Sequence, residues 1–219
     1  MEEYRSKVDI IYEILLNSII EGVLKPGERI IISKTARENK MSEIPVREAI
    51  RRLESEGYLE VNANQSVTVR RYDSEKITQI FQIKGVLEGF ASRLSIDYLR
   101  PSNFKKLSKI NEDIRQAHLE NKTDKYSSLN MKFHLEIYSV IPQKELYDMI
   151  VELWAKWGMT KSVFKIAPER VEESYDDHKM IIQLLQEKRC DEVEAFVRKH
   201  KFTAGLRFVK NIITYENKQ

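Results

Sequence analysis

The stretch Pro45-Val46-Arg47-Glu48-Ala49-Ile50-Arg51-Arg52-Leu53-Glu54-Ser55-Glu56-Gly57-Tyr58-Leu59 constrains the fold more than any other. Pro45 lacks a backbone N–H, so it suits a first helical turn and not a helix interior. Ser42, just before it, is a residue type that caps helix N-termini, and Gly57 is the type that ends them in the left-handed conformation. Between the two, Val46, Ala49, Ile50 and Leu53 recur at helical spacing, so one side is built for a core. The other side carries Arg47 and Arg51 four apart, with Arg52 beside them. Taken alone, such a helix is most simply an amphipathic surface helix with solvated arginines. Its surroundings argue for an anion partner.

Upstream, residues 4–21 read as a helix with Val8, Ile11, Tyr12, Leu15, Leu16 and Ile19 as its apolar stripe, ended by Gly22. Pro26-Gly27 marks a turn. Ile30-Ile31-Ile32 is strand-like, Ser33 is placed to cap a short helix reaching about residue 38, and Asn39-Lys40-Met41 makes a tight turn into the helix described above. Downstream, residues 58–62 and 67–71 fit strand alternation, joined by Asn62-Ala63-Asn64-Gln65-Ser66 into a two-stranded wing. The order is that of a winged helix.

Asp73-Ser74 is the expected boundary. Beyond it the pattern is helical, at about 75–97, 102–121, 124–140, 144–165, 169–187 and 191–213, with Pro101, Pro142 and Pro168 in three of the gaps. The expected fold class is mainly α: an N-terminal winged helix-turn-helix (1–72) and a C-terminal antiparallel six-helix bundle (73–219).

The formal net charge of +3 says little, but residues 29–52 hold seven basic against three acidic residues. A local basic patch is what phosphate recognition needs. No stretch approaches the ~18 apolar residues of a membrane span, and the start of the chain lacks signal-peptide order. The single cysteine, Cys190, excludes an internal disulfide and reads as a packed thiol in a reducing compartment. A cytoplasmic protein with no membrane partner is expected.

The segments Ile20-Glu21-Gly22-Val23-Leu24-Lys25-Pro26-Gly27-Glu28-Arg29 and Pro45 through Gly57 resemble the GntR family of bacterial transcription regulators. The helical remainder resembles the effector domain, of FCD type, found in the FadR subgroup. The resemblance implies a homodimer whose two winged helices each take half of a near-palindromic operator in double-stranded DNA, answering to a small molecule in the bundle. The residues it assigns to DNA are Lys34 and Arg37 on the first short helix, Ser42, Glu43, Arg47 and Arg51 on the recognition helix, and Asn64 and Gln65 at the wing tip. Arg47 grips a guanine edge or a phosphate; Arg51, Lys34 and Arg37 hold the backbone. The plain reading of each is a solvated surface group.

Three departures from the family pattern matter. Asn39-Lys40 stands where the family has Leu-Gly, which puts about 1 kcal/mol of strain on Lys40 unless Asn39 takes the left-handed geometry. Glu43 stands where a basic residue is usual; it suits the helix dipole but repels phosphate, and could instead accept from a cytosine amino group. Ser66 replaces a wing glycine.

Three of the four histidines lie at the apolar faces of different helices: His134 beside Phe133 and Ile137, His178 with Ile181 and Leu185, His200 with Val197. A lone inward histidine is ordinarily a hydrogen-bonded core residue. Three from three helices can meet at one metal ion, and Asn130, four before His134, adds an oxygen on the same face. The resemblance implies the same set, with an acid usual at the Asn130 position; the neutral amide compensates less charge. Zinc is the default ion, with nickel or manganese as alternatives. A small carboxylate metabolite would complete the site, with Lys84 as its counter-charge. His118 reads as a surface residue at a helix end, and Trp154 and Trp157 as core or dimer surface. The competing function is a helical metallohydrolase with an appended nucleic-acid module, using Asp177 or Glu136 as base. No His-Glu-x-x-His motif supports it, so a non-enzymatic regulator is expected.

Overall fold

The structure is a computed structural model that describes residues 6–20, 23–62, 66–71, 73–120, 122–156 and 170–217. Gly22, Asn64, Gln65, Trp157 and Pro168, which entered the sequence reading, lie outside these residues. The chain divides after Asp73. Ser74–Asn211 forms one compact unit, and the residues before it form the other, together with the stretch from Ile212 onward.

The first unit contains α1 (Lys7–Ile20), β1 (Arg29–Ile30), α2 (Ile32–Glu38), α3 (Glu43–Ser55), β2 (Leu59–Val61) and β3 (Val67–Val69). The expected two-stranded wing has a third strand. β1 pairs antiparallel with β3, Arg29 opposite Thr68, giving the order β1-β3-β2. The β2–β3 hairpin pairs Leu59 with Val69 and closes where the Asn62 N–H donates to the Ser66 carbonyl at 3.0 Å. Of the apolar triplet only Ile30 joins the sheet. Ile31 is the N-cap of α2, whose helix begins at Ile32, so Ser33 lies inside the helix and does not cap it. The stripe predicted for α1 packs on α3: Ile11, Leu15, Val46, Ala49 and Leu53 are all buried.

Both turns flanking α3 close alike. After α2, Lys40 takes the left-handed conformation (φ +52°), and the Met41 N–H reaches the Ala36 carbonyl at 2.9 Å. Asn39 does not relieve Lys40: its φ is −95°, and its side-chain amide donates instead to the Thr35 carbonyl at 2.8 Å. After α3, Gly57 (φ +85°) does the same job without a Cβ penalty, and the Tyr58 N–H bonds the Leu53 carbonyl at 2.9 Å. At the start of α3, Ser42 has extended N-cap geometry, but its hydroxyl makes no capping hydrogen bond. The third helical residue is Pro45, which has no N–H for that hydroxyl to receive.

The second unit holds α4 (Ser74–Ser95), α5 (Pro101–Leu119), α6 (Thr123–Tyr138), α7 (Lys144–Lys156), α8 (Arg170–Gln186) and most of α9 (Cys190–Asn217). Six helices were expected and six are described. The core is apolar, with Leu107, Ile114, Phe133, Ile137, Ile181 and Val197 fully buried. α4 and α9 approach closely along two glycines. A Cβ at Gly89 would sit 2.8 Å from the Glu194 carbonyl oxygen, and one at Gly85 3.2 Å from that of Arg198.

Candidate functional site

The outward face of α3 presents Ile44, Arg47, Glu48, Arg51 and Ser55, all exposed and spaced three or four apart. Arg47 is held by Glu43 one turn before it, at 2.7 Å. Both side chains are near half exposed, so the pair is worth well under ~1 kcal/mol and orders Arg47 without tethering it. Lys34 and Arg37 on α2 are exposed, Lys34 lying 3.8 Å from Glu38. Ser42 is exposed as well. Beside α3 runs an open groove of about 320 Å³, lined by Ile32, Ile50, Val61 and Val67 together with Arg47, Arg51 and Glu54.

Arg52 does not belong to this face. It is half-buried, stacks 3.8 Å from the Tyr12 ring centroid, and pairs with Asp9 at 3.2 Å and Glu56 at 3.3 Å. Tyr12 in turn donates to Glu56 at 2.6 Å. This arginine clamps α3 to α1. On the helical wheel residue 52 lies no nearer the apolar stripe than residue 47, so it is the placement of Tyr12 and Asp9 on α1 that makes it structural.

The other site lies in the second unit. His134 (α6), His178 (α8) and His200 (α9) are all buried, and their ligand atoms lie within 4.8 Å of one another. A neighbour sets the proton of each ring. The Asn111 amide donates to the Tyr175 carbonyl at 2.9 Å, which turns its oxygen to His178 Nδ1 at 2.9 Å. His200 Nδ1 faces Asp177 at 2.7 Å. Tyr138 donates its hydroxyl to Glu88 at 3.0 Å, so its oxygen receives from His134 Nδ1 at 3.3 Å. A partner stands at the Nδ1 of each ring, the arrangement that supports a histidine whose Nε2 ligates a metal; His178 Nε2 also lies 3.4 Å from the Ser174 hydroxyl. Burial, reinforced by Lys201 and the other two histidines, holds His134 well below the usual imidazole range, so it is neutral near pH 7.

Two buried acceptors make the fit explicit. His134 Nε2 and Asn130 Oδ1 each lack a hydrogen-bond partner. An orphaned buried acceptor costs ~1–3 kcal/mol, and a cation held by the triad would supply what His134 Nε2 needs. Three imidazoles and an amide oxygen suit a divalent ion of borderline softness.

Next to the triad, Lys84 and Lys201 are buried around Glu88, at 3.7 and 2.8 Å. Lys84 Nζ lies 3.3 Å from the Trp154 ring centroid, and that ring stacks near His134 at 6.1 Å. Burial pushes Lys84 down to about 7, against the pull of Glu88 and with the push of Lys201. Lys84, expected as a counter-charge, lies beside the triad; Lys201, Glu88 and Tyr138 give no sign of it in the sequence, and Trp154, expected in the core or at a dimer surface, is in the core. Lys84 and Glu88 are one turn apart on α4, and Lys201 follows His200, yet charged residues at such spacings are ordinarily solvated. The structure turns the two suggested hydrolytic bases to other work: Asp177 orients His200, and Glu136 pairs with Lys106 at 2.6 Å and accepts from Asn103. His118 is half-buried against Tyr126 in the last turn of α5.

A winged helix with a cationic outward helix, followed by a helical unit enclosing a histidine cluster, is the build of a two-domain transcription regulator. Comparison with known proteins specifies it. Residues 7–69 match the bacterial regulatory proteins of the gntR family, and residues 79–202 match the FCD domain. The chain is 30% identical over 169 residues to the HTH-type transcriptional regulator McbR of Escherichia coli, covering 76% of each chain. It is 25% identical to the Nta operon transcriptional regulator of Aminobacter aminovorans, covering 87% of this chain and 90% of that one. The structure of E. coli McbR/YncC superposes with a TM-score of 0.57 at 26% identity, covering 98% and 99% of the two chains. The chain belongs to the GntR family of DNA-binding transcription regulators, with an FCD domain as its second part, and its relatives are regulators rather than enzymes. No helix among the described residues is long and apolar enough to cross a membrane.

Proposed function

We propose that the chain acts in the cytoplasm as a homodimeric, effector-responsive regulator on a near-palindromic operator. Residues 1–72 would bind DNA, and residues 73–219 would bind the effector and dimerise. Arg47 is the central DNA contact, with Arg51, Lys34, Arg37, Ser42 and the wing-tip Asn64 and Gln65 holding the duplex. Glu43 leaves Arg47 on binding and accepts from a base amino group. His134, His178, His200 and Asn130 hold a divalent ion, zinc first and nickel or manganese otherwise. The ion supplies a Lewis-acid anchor for one oxygen of a small carboxylate, and Lys84 counters the effector's negative charge. The effector can switch the protein only by favouring one of its two arrangements. The observation that supports this reading is the cluster of three buried histidines, with His134 Nε2 lacking a hydrogen-bond partner and Asn130 Oδ1, one turn earlier on the same helix, lacking one as well.

Two measurements test it. Gel retardation with the operator should be abolished by Arg47→Ala while the circular dichroism melt stays within ~1 kcal/mol of wild type, since the Glu43–Arg47 pair is exposed. Normal retention by that variant would remove the central contact. A thermal-shift panel of small carboxylic acids on the zinc-loaded protein should raise the melting temperature with at least one acid and release operator DNA with the same acid. A panel with no responder would refute the carboxylate assignment.

A further inference from the structure

Ile44 is the one apolar side chain on the outward face of α3, and it is 69% exposed. Val46, Ile50 and Leu53, the other branched residues of the helix, are at most 3% exposed. Ile44 precedes Arg47 by three residues, Glu48 by four and Arg51 by seven, so it leads the cationic stripe at the helix N-terminus. That end of a recognition helix reaches the base edges of the major groove. A lone exposed isoleucine is ordinary on most surfaces. Here it occupies a first-turn position where the helix dipole rewards acidic or hydroxyl side chains and an isoleucine gains nothing from the fold. It is also a stiff probe. Its β-branch restricts χ1, and Pro45 next to it fixes the backbone, so ordering it against a partner costs little entropy.

The major groove offers one apolar feature for such a probe, the C5 methyl of thymine. Glu43 and Arg47 on either side read donors and acceptors and are blind to it. We infer that Ile44 is a specificity-determining residue that selects a thymine in each operator half-site by packing on its C5 methyl. The inference rests on the operator-binding reading above, and goes beyond it in naming a base and the group that reads it.

The test uses the full chain and a duplex chosen from a random-core library by repeated retention. Each thymine of the chosen duplex is replaced in turn by uracil, which removes the methyl and leaves every hydrogen-bonding group unchanged. Wild-type protein should lose affinity about fourfold at one thymine per half-site, the weight of one buried methyl. Ile44→Ala should bind the thymine and uracil duplexes equally, with an unchanged circular dichroism melt. Ile44→Thr, which keeps one γ-methyl, should restore part of the discrimination. Uracil neutral at every position for wild type, or the same uracil penalty with Ile44→Ala, overturns the inference while leaving operator binding intact. Failure to retain any duplex at low salt defeats the operator reading itself and this inference with it.

Discussion

Replacing His134 by leucine should invert the stability order of two proteins according to whether zinc is present. His134 is wholly buried, with Nε2 unpartnered and Nδ1 making only a 3.3 Å contact to the Tyr138 oxygen. In metal-stripped protein the orphaned nitrogen costs ~1–3 kcal/mol, whereas the long Nδ1 contact returns only ~0.5–1 kcal/mol. Leucine fills nearly the same space and removes both, so stripped His134→Leu should be about 1 kcal/mol more stable than stripped wild type. At zinc a hundredfold above its dissociation constant, wild type gains ~2.7 kcal/mol from linkage and the variant gains almost nothing. For a chain of this size 1 kcal/mol moves the melting temperature by ~2–4 °C, so wild type should rise about 5–11 °C and overtake the variant. Intrinsic fluorescence during heating is a suitable assay, because Trp154 is buried in the second unit and its ring lies 6.1 Å from that of His134. A core histidine serving only its hydrogen bonds would give the opposite pattern. Stripped His134→Leu would then be several kcal/mol less stable, zinc would move neither protein, and the metal assignment would be refuted.

Asn130→Asp should tighten zinc in a chelator competition, because an anionic oxygen compensates the dication, and should destabilise the stripped protein by burying an unpaired carboxylate. Lys40→Gly should stabilise the winged-helix unit by about 0.5–1 kcal/mol, read as a higher urea midpoint by circular dichroism, since glycine holds φ +52° without the Cβ clash. Affinity for an anionic effector should fall as pH rises through about 7, where Lys84 loses its charge among Glu88, Lys201 and Trp154; titration calorimetry at several pH values should show this slope, and Lys84→Met should flatten it. The same depression sets the sign for folding. Between about pH 7 and 10.5 the unfolded chain holds the proton that folded Lys84 has released, so this group's contribution to stability increases with pH across that window.

Periodicity and punctuation made most of the fold legible. Gly57 and the Val46–Ala49–Ile50–Leu53 stripe placed α3, and Pro101 opens α5 at its first residue. What escaped was whatever depends on partners distant in sequence. β1 exists only because Arg29 and Ile30 find β3 some forty residues on, and two residues carry no strand signal of their own. Ser42 has a capping side chain at a capping position, yet Pro45 withholds the donor. Arg52 differs from Arg51 by one step of the helical wheel, and only the position of Tyr12 and Asp9 on α1 decides that it is structural. The histidine triad was legible because inward histidines on three helices are unusual. Glu88 and Lys201 were not, because burial of a charged residue is decided by what its neighbours supply, and sequence spacing does not record that.

The two glycines between α4 and α9 carry a mechanical corollary. With backbone of α9 pressed against Gly85 and Gly89 and the Arg198 side chain beside both, any side chain added at either glycine must push the two helices apart. Lys84 rides on the first of these helices and His200 and Lys201 on the second, so prying the pair apart carries Lys84 away from the other two.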